Sequence, residues 1–351
     1  MIIRMDCKEQ EMEVRMKIAL DAMGGDHAPQ EIVLGGLQAL QQYQKIEKVF
    51  LVGQRALIEA ALAQADKETR SKIEIVEASE VIEMADHPAT AYRRKKDASI
   101  TVATRLVKSG EADAVVSAGS TGGQMVAALF GLGRIKGVSR PAIGCMLPTL
   151  TGGKLLVDAG ANTNVDVENL VQFAQMGSIY MESVMGVQKP KVGLINNGAE
   201  ETKGSDLTQA AYQRLKELSG IHFIGNIEGR DVPAGVADVM TCDGFTGNVV
   251  LKTMEGMGKT IISMLEQEVM ASTRCKAGAL LMKPALRSLK HKMDYAEYGG
   301  APLLGVNGVS IVCHGSSKAK AICKAMEVAC HCCESKFVEK IKGNFEKGIE
   351  N

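Results

Sequence analysis

A loop rich in glycine and hydroxyl groups, Ser117-Ala-Gly-Ser-Thr-Gly-Gly, carries the clearest chemical signal in this sequence. It follows an apolar run, and a helical pattern begins after it. Glycines let successive backbone N–H groups face one point, and the start of a helix carries partial positive charge, so such a loop can bind phosphate. Its spacing is neither G-x-G-x-x-G nor a Walker A motif, so it specifies an anion and not a nucleotide. The alternative is an ordinary turn. The candidate phosphate-binding residues here are Ser117, Gly119, Ser120, Thr121 and Gly122, with Ser120 or Thr121 as helix cap.

A second loop, LDAMGGDHAP, ends the first apolar run of the interpretable sequence. Gly24 and Gly25 permit backbone angles that other residues avoid, and Pro29 suits the first turn of a helix. Asp26 and His27 are then displayed on the loop. We expect Gly24, Gly25 and Asp26 to join the phosphate site, and His27 to act as a general base or an anion donor. The alternative for His27 is a loop histidine bonded to backbone.

Further candidate catalytic residues follow other apolar runs. The stretch NNGAEETKGSD offers Asn196 and Lys203, whose amide and ammonium groups can hold a carbonyl or phosphate oxygen, and CDGFTGN offers Asn248 as an oxyanion donor. No Gly-x-Ser-x-Gly elbow or activated cysteine is present, so direct attack by a bound substrate is simpler than a covalent intermediate. Cys330-His-Cys-Cys lacks zinc-site spacing, and we expect neither metal nor cofactor.

A run of four cations, Arg93, Arg94, Lys95 and Lys96, stands out in a chain with 41 basic and 41 acidic residues. It is either a solvated face or a docking surface for an acidic partner, and on a helix only half of such a run can face one target.

The segment AGALLMKPALRSLKHKM is amphipathic and basic. Such a helix can lie in the headgroup region of an anionic membrane. A pair of helices that buries its leucines between two subunits is the alternative. The apolar residues of this candidate membrane tip are Leu280, Leu281, Met282, Leu286 and Leu289.

Val- and Ile-rich runs alternate with helical periods over most of the chain, as in KVFLVG then RALIEAALAQA, and DAVVSAG then QMVAALFGLG. This pattern predicts an α/β fold: a mostly parallel sheet covered by helices on both faces, with the polar strand ends converging. We divide the chain into a disordered extension at 1–15, a catalytic core at 16–253 and 299–340, and a protruding helical pair at 254–298. The two helices of the pair are expected to join near Ala277 to Pro284.

Composition excludes several classes of protein. With 4% aromatic residues and no tryptophan, the chain lacks stacking platforms for bases, so a nucleic-acid partner is not expected. The nine cysteines do not form a secreted framework, which favours a reducing cytoplasm. No apolar run is long enough to span a bilayer.

Taken in order, these motifs resemble a known family. LDAMGGDHAP, KKDAS, SAGSTGG, DAGAN, GNIEGRD, CDGFTGNVVLK, YGGAPLLGVNG and HGSS are together similar to bacterial phosphate acyltransferases of phospholipid synthesis, from about Met16 to the carboxyl end. The sequence departs from the usual pattern at Ser120, where asparagine is frequent, and at Asn164, where aspartate is usual.

The resemblance implies a homodimer with a fold like phosphotransacetylases and isocitrate dehydrogenases. It implies transfer of a long acyl chain from acyl carrier protein to inorganic phosphate. From the charges alone, we expect the acidic carrier to dock on the cationic run. It also implies a peripheral hold on the cytoplasmic membrane through the helical tip, and delivery of acyl phosphate to a membrane glycerol-3-phosphate acyltransferase.

Two other functions remain open from the sequence. One is a metal- and nicotinamide-dependent hydroxyacid dehydrogenase of the same fold, for which Asp158 and Asp243 supply carboxylates but no nucleotide signature accompanies them. The other is a non-catalytic membrane scaffold, which leaves the polar strand ends unexplained.

Overall fold

The computed structural model describes residues 15–293 and 295–347, so the predicted extension lies outside the described residues except for Arg15. Within these ranges the chain forms a mixed sheet with helices on both faces, which confirms the predicted fold class. The strands are β1 Met16–Asp21, β2 Ile46–Gly53, β3 Ile73–Glu77, β4 Ala114–Ser117, β5 Ala142–Thr149, β6 Gly152–Val157, β7 Lys191–Asn196, β8 His222–Glu228, β9 Val239–Thr241, β10 Ala301–Leu304 and β11 Val309–Val312. The helices are α1 Gln30–Gln42, α2 Arg55–Ala61, α3 Lys67–Ser71, α4 Pro88–Arg94, α5 Ser99–Ser109, α6 Thr121–Gly131, α7 Val167–Ser183, α8 Asp206–Glu217, α9 Gly244–Ala271, α10 Thr273–Met293, α11 Ala319–Glu334 and α12 Phe337–Lys347.

The strand order is β3-β2-β1-β4-β11-β10-β5-β6-β9-β7-β8. The strands from β3 to β11 are mutually parallel, and so are those from β6 to β8. Between the two sets, β11–β10, β10–β5 and β5–β6 are all antiparallel. Three successive reversals make the two parallel sets run in opposite directions. The carboxyl ends of the strands in the two sets therefore point in opposite directions along the sheet, which the prediction of converging strand ends did not include.

The strands are apolar because both faces of the sheet are covered. In β1, Ile18 and Leu20 belong to one buried cluster that includes side chains of α1, α11 and α7, while Ala19 belongs to a second cluster with α5 and α6. On that second face a third cluster joins the end of α6 to strands β5 to β9 and to the first turns of α9. The candidate site described below lies at the start of α6 and along the first turns of α9.

The long helices α9 and α10 cover most of the segment 254–298 predicted as a helical pair, but α9 already begins at Gly244 and the two helices join at Ser272. Ser272 is extended, and its Oγ accepts a hydrogen bond from the Cys275 N–H at 3.1 Å, which starts the second helix. Pro284 lies inside α10 and does not end it, so the prediction of a junction near Ala277 to Pro284 was wrong. Over the described ranges, no helix has the length and apolar character required to cross a bilayer.

Candidate active site

A buried carboxylate and a buried hydroxyl meet where β1 and β4 end. Asp21 is 2% exposed and Ser117 is 1% exposed, and the Ser117 hydroxyl donates to Asp21 Oδ2 at 2.6 Å. Ser117 Oγ also accepts a hydrogen bond from the Gly119 N–H at 3.0 Å. Burial raises the pKa of Asp21, and hydrogen bonds such as that from Ser117 partly counter the shift. This pair holds the two glycine-rich loops in register.

The two loops approach so closely that glycine is required at position 24. A Cβ there would lie 2.7 Å from both Asp21 Oδ2 and the Gly119 nitrogen. The space between the loops is a cavity of about 10 Å³, enough for about one water molecule. A phosphate ion does not fit between the loops, so an anion has to approach from outside, at the start of α6.

Ser120 caps α6, as predicted, because its Oγ accepts a hydrogen bond from the Gly123 N–H at 3.3 Å. Thr121 is exposed at the first helical position, where unpaired N–H groups favour an anion. Gly122 has a packing role as well, since a Cβ there would lie 2.6 Å from Pro88 Cγ of α4. The candidate phosphate residues of this loop and of the Gly24 loop are thus neighbours in space.

The loop after β1 reaches a loop after β11 that sequence reasoning did not place in the site. The Asp26 N–H donates to the Gly315 carbonyl at 2.8 Å. The neighbouring His314 Nε2 lies 3.2 Å from Lys252 Nζ on α9. His27 is exposed, as predicted, and no hydrogen bond of its ring is seen among the described residues. These contacts link the first loop to α9.

Asp158 holds the loop that follows β6 in place, although it was not among the candidate site residues. It is fully buried, and its carboxylate accepts hydrogen bonds from the N–H groups of Ile143, Gly160, Ala161 and Asn162 and from the Asn162 side chain, at 2.6 to 3.2 Å. Five donors leave this carboxylate little capacity for a metal or substrate. Its position directly after a strand was the only sequence signal.

Asn248 lies one turn before Lys252 on α9 and is exposed, and a Cβ on Gly160 would lie 3.7 Å from its Oδ1. Helix α9 begins at Asp243, whose Oδ1 accepts the Thr246 N–H at 2.9 Å as an N-cap. The Asn248 amide therefore faces solvent beside the Asp158 loop.

Asn196 and Lys203 share another loop. Asn196 Nδ2 donates to the Lys203 carbonyl at 3.1 Å, and Asn196 Oδ1 accepts from the Asn197 N–H at 2.9 Å. The amide of Asn196 therefore braces its own loop. The Lys203 side chain packs beside Gly198. This loop follows β7, in the parallel set that runs opposite to β1 and β4.

The cationic run straddles the end of α4. Arg93 and Arg94 are exposed in its last turn, and Lys96 is exposed just beyond it. Lys95 differs from these three cations because it already has partners: its Nζ forms an ion pair with Asp86 Oδ2 at 2.6 Å and donates to the Val81 carbonyl at 2.7 Å.

The candidate membrane tip lies within α10. Four of its apolar side chains are exposed, and Leu286 is half-buried. The exposed fractions are 70% for Leu280, 85% for Leu281, 57% for Met282 and 42% for Leu289.

No group of three or more His, Cys, Asp or Glu side chains is placed to hold a metal ion in the part of the chain that the structure describes. Cys330 and Cys332 lie buried within α11, where burial raises the pKa of both thiols.

Comparison with solved structures identifies the fold. The structure is similar to a phosphotransacetylase from Streptococcus pyogenes, with a TM-score of 0.60 and 15% identity over 92% of this chain and 96% of that one. It is similar also to the EutD phosphotransacetylase from Staphylococcus aureus, with a TM-score of 0.58 and 16% identity over 92% and 94%. These similarities establish the phosphotransacetylase-like fold.

The sequence comparisons are more specific. Residues 16–340 match the family described as "Fatty acid synthesis protein", and the chain belongs to that family. It is 58% identical to "Phosphate acyltransferase" of Desulfitobacterium hafniense (strain DSM 10664 / DCB-2) over 328 residues, 93% of this chain and 97% of the relative. It is 57% identical to "Phosphate acyltransferase" of Heliobacterium modesticaldum over 335 residues, 95% and 99% of the two chains.

Proposed function

We propose that this protein is an acyltransferase that moves a long-chain fatty acyl group from acyl carrier protein to inorganic phosphate. The product is an acyl phosphate for phosphatidic acid synthesis. The high identity to phosphate acyltransferases over nearly the whole chain supports phosphate as the acceptor. The observation that carries the proposal is the glycine-rich loop at the capped start of α6, packed against the loop after β1.

Phosphate binds outside this pair of loops, with its oxygens on the N–H groups at the start of α6 and with Gly24, Gly25 and Asp26 at the adjacent rim. A phosphate oxygen attacks the thioester carbonyl carbon, the carbon–sulfur bond breaks, and the thiolate leaves and takes up the proton that hydrogen phosphate gives up. Near pH 7 a substantial fraction of inorganic phosphate is the dianion, which is already nucleophilic, so placing it correctly matters more than a strong base.

Asn248 is the better placed of the two candidate oxyanion donors, because its amide is exposed while that of Asn196 already braces a loop. A hydrogen bond from one preorganised amide can stabilise the tetrahedral intermediate by about 3 kcal/mol. His27 and Lys203 supply charge or a proton to phosphate and the leaving thiolate. No covalent enzyme intermediate is needed.

The carrier protein docks on the cations around the end of α4. Arg93, Arg94 and Lys96 are exposed, whereas Lys95 would have to give up its ion pair with Asp86. Reversing Arg93 and Arg94 to glutamate raises KM for the acyl carrier and leaves kcat near the wild-type value, because steering acts on association. The same reversal at Lys67, an exposed cation on α3, is the control. An unchanged KM at low salt contradicts this docking surface.

The helical pair provides a dimer contact and a membrane contact. On α9, Met257, Ile261, Met264 and Leu265 follow one face at helical spacing and are exposed by 38 to 61%. Soluble monomers rarely expose so much contiguous apolar surface, so this face supports a homodimer. The exposed tip of α10 then lies on an anionic membrane at its cytoplasmic side, near a glycerol-3-phosphate acyltransferase that takes the product.

One experiment tests the proposed reaction. Purified protein is incubated with acyl carrier thioester and labelled phosphate, and the product is treated with hydroxylamine. We expect a labelled acyl phosphate that hydroxylamine destroys and whose formation needs both substrates. Release of free fatty acid without labelled product, or dependence on nicotinamide cofactor, would refute acyl transfer to phosphate.

A further inference from the structure

A second cavity lies at the far end of α6, away from the candidate active site. It has a volume of about 230 Å³ and lies between the end of α4, the middle of α5 and the last turn of α6. Its walls include Tyr92, Lys96, Thr101, Arg105, Lys108 and Phe130. From Ser120 to Gly131 the helix rises about 16 Å, at 1.5 Å per residue. The cavity is therefore separate from the loops that cap the start of α6.

Three cations surround the cavity. Lys96, Arg105 and Lys108 are exposed, and none of them forms an ion pair with a carboxylate in the described part of the chain. Arg105 Nη2 donates to the Lys96 carbonyl at 3.2 Å. The pKa of Asp97 is lowered mainly by hydrogen bonds from Ser79, with a smaller contribution from Arg105. Three cations with so little compensation favour an anion between them.

A buried hydroxyl in the wall has no partner. Thr101 is 7% exposed, and its Oγ1 makes no hydrogen bond. Leaving such a group unsatisfied opposes folding, and native proteins rarely do so without a bound molecule or a functional reason. A ligand oxygen in this cavity would satisfy it.

An aromatic pair forms the remaining wall. The rings of Tyr92 and Phe130 are stacked with centroids 5.8 Å apart, and Phe130 is 57% exposed. Lys96 Nζ lies 5.2 Å from the centre of the Tyr92 ring, so charge and apolar surface adjoin. The volume of about 230 Å³ has room for a phosphate group with a short organic segment.

We propose that this cavity binds the phosphate ester of an organic molecule. The cations and the Thr101 hydroxyl contact the phosphate oxygens, and the aromatic pair contacts the apolar carbons next to them. Two sources share this chemistry: a free phosphomonoester, and the phosphopantetheine arm of the acyl donor. The thirteen bonds from phosphorus to sulfur in that arm extend about 15 Å, close to the length of α6. Only this second source rests on the proposed function.

Because the chain has no tryptophan, a Phe130→Trp variant carries a single reporter in the wall of the cavity. We expect its fluorescence to change saturably with pantetheine 4′-phosphate, and not with pantetheine, which lacks the phosphate. Glycerol 3-phosphate and inorganic phosphate are titrated in parallel. Tighter binding of pantetheine 4′-phosphate than of glycerol 3-phosphate supports the donor arm as the source, and the reverse order supports a free phosphomonoester.

Matched variants locate the binding. Arg105→Ala with Lys108→Ala, made in the Phe130→Trp protein, should weaken binding by about tenfold or more, because two charge-assisted contacts are lost. Lys67→Ala with Lys276→Ala removes two exposed cations elsewhere and should leave affinity unchanged. Thr101→Val should weaken binding several-fold while Tm stays the same or rises, since its hydroxyl has no protein partner to lose.

The proposal is overturned by any of three results. These are no fluorescence change with either phosphate ester, an equal response to pantetheine, and an affinity that the Arg105→Ala and Lys108→Ala changes leave intact. Equal weak binding of inorganic phosphate, sulfate and both esters would mean an adventitious ion only. Should Phe130→Trp fail to fold, ¹³C-methylated lysine signals of the unsubstituted protein replace fluorescence, with Lys108→Arg used for assignment. Binding is measured without acyl transfer, so failure of the proposed reaction leaves this test valid.

Discussion

The hydrogen bond between Asp21 and Ser117 leads to a quantitative prediction for Ser117→Ala. The substitution removes a donor to Asp21 Oδ2 at 2.6 Å and an acceptor for the Gly119 N–H at 3.0 Å. The buried Asp21 carboxyl loses its hydrogen bond from Ser117 but keeps one from the Met23 N–H at 3.3 Å, and the half-buried Gly119 N–H loses its side-chain partner. At about 1–2 kcal/mol for each lost hydrogen bond, the free energy of unfolding should fall by about 2–4 kcal/mol. That is a large share of the roughly 5–15 kcal/mol typical of native proteins.

Ser310→Ala on the adjacent strand β11 is the matched control. Ser310 is also 1% exposed, and its Oγ accepts a hydrogen bond from Gln124 Nε2 at 3.0 Å. Gln124 Nε2 donates to the Ile311 carbonyl as well, at 2.9 Å, so the donor keeps a partner after substitution. We expect a loss of only about 1 kcal/mol.

The dependence on pH has a defined sign. Burial raises the pKa of Asp21 above its ordinary value of 3.8, so the folded protein binds this proton more tightly than the unfolded chain does. The resulting stabilisation is complete below that value and is lost as pH rises through the raised pKa. The Asp21→Asn variant has no such loss. The difference in free energy of unfolding between the unsubstituted protein and this variant should therefore shrink as pH rises.

A double-mutant cycle measured by urea unfolding separates the pair from its surroundings. At high pH, where the carboxyl is ionised, the coupling between Asp21→Asn and Ser117→Ala should be about 1.5–3 kcal/mol, and at low pH about 0.5–1.5 kcal/mol. Additive effects within about 0.5 kcal/mol at both pH values would refute the argument that this hydrogen bond holds the loops together.

Gly24→Ala should lower stability by about 1–3 kcal/mol and raise KM for phosphate, because the added Cβ lies 2.7 Å from two atoms of the opposite loop. Gly343→Ala, with open space around its Cβ in α12, should stabilise by up to about 1 kcal/mol in the same urea assay. Burial raises the pKa of the Cys145 thiol to about 12. In a Cys7→Ser background, a thiol reagent at pH 8 should therefore modify the exposed Cys275 first. Rapid labelling of Cys145 would contradict its burial. Replacing Leu281, which is 85% exposed, by glutamate should reduce sedimentation with anionic liposomes without changing Tm, and unchanged sedimentation would argue against the membrane tip.

Alternation of apolar runs and helical periods was enough to predict the α/β/α class, because strands covered on both faces must be apolar throughout. The same pattern carries no strand direction. The segments β5 and β10 resemble the other apolar runs, yet their antiparallel pairing reverses one half of the sheet. Direction depends on long-range pairing, so this half of the topology could not be predicted locally.

Parts of the candidate site show the same limit. The cap at Ser120 was predictable, since capping is a local interaction. The role of Asp158 was predictable only in part: four of its five donors come from Gly160 to Asn162, within four residues of it, whereas the fifth, the Ile143 N–H, becomes a neighbour only when β5 and β6 pair. Ser272 looked unremarkable beside Gly278 and Pro284, although it makes the break between α9 and α10. The catalytic and docking roles of individual residues stay predictions.

The contact between Lys252 and His314 ties together parts of the molecule that are far apart in the sequence. Helix α9 is anchored by its cap at Asp243 beside one parallel set of strands, and eight residues after its first residue it touches the loop that leaves the other set. A hinge movement of one half of the sheet against the other would therefore move α9 or break its contact with His314. Because α9 continues without a break to Ala271, such a movement would also displace the distal end of the helical pair.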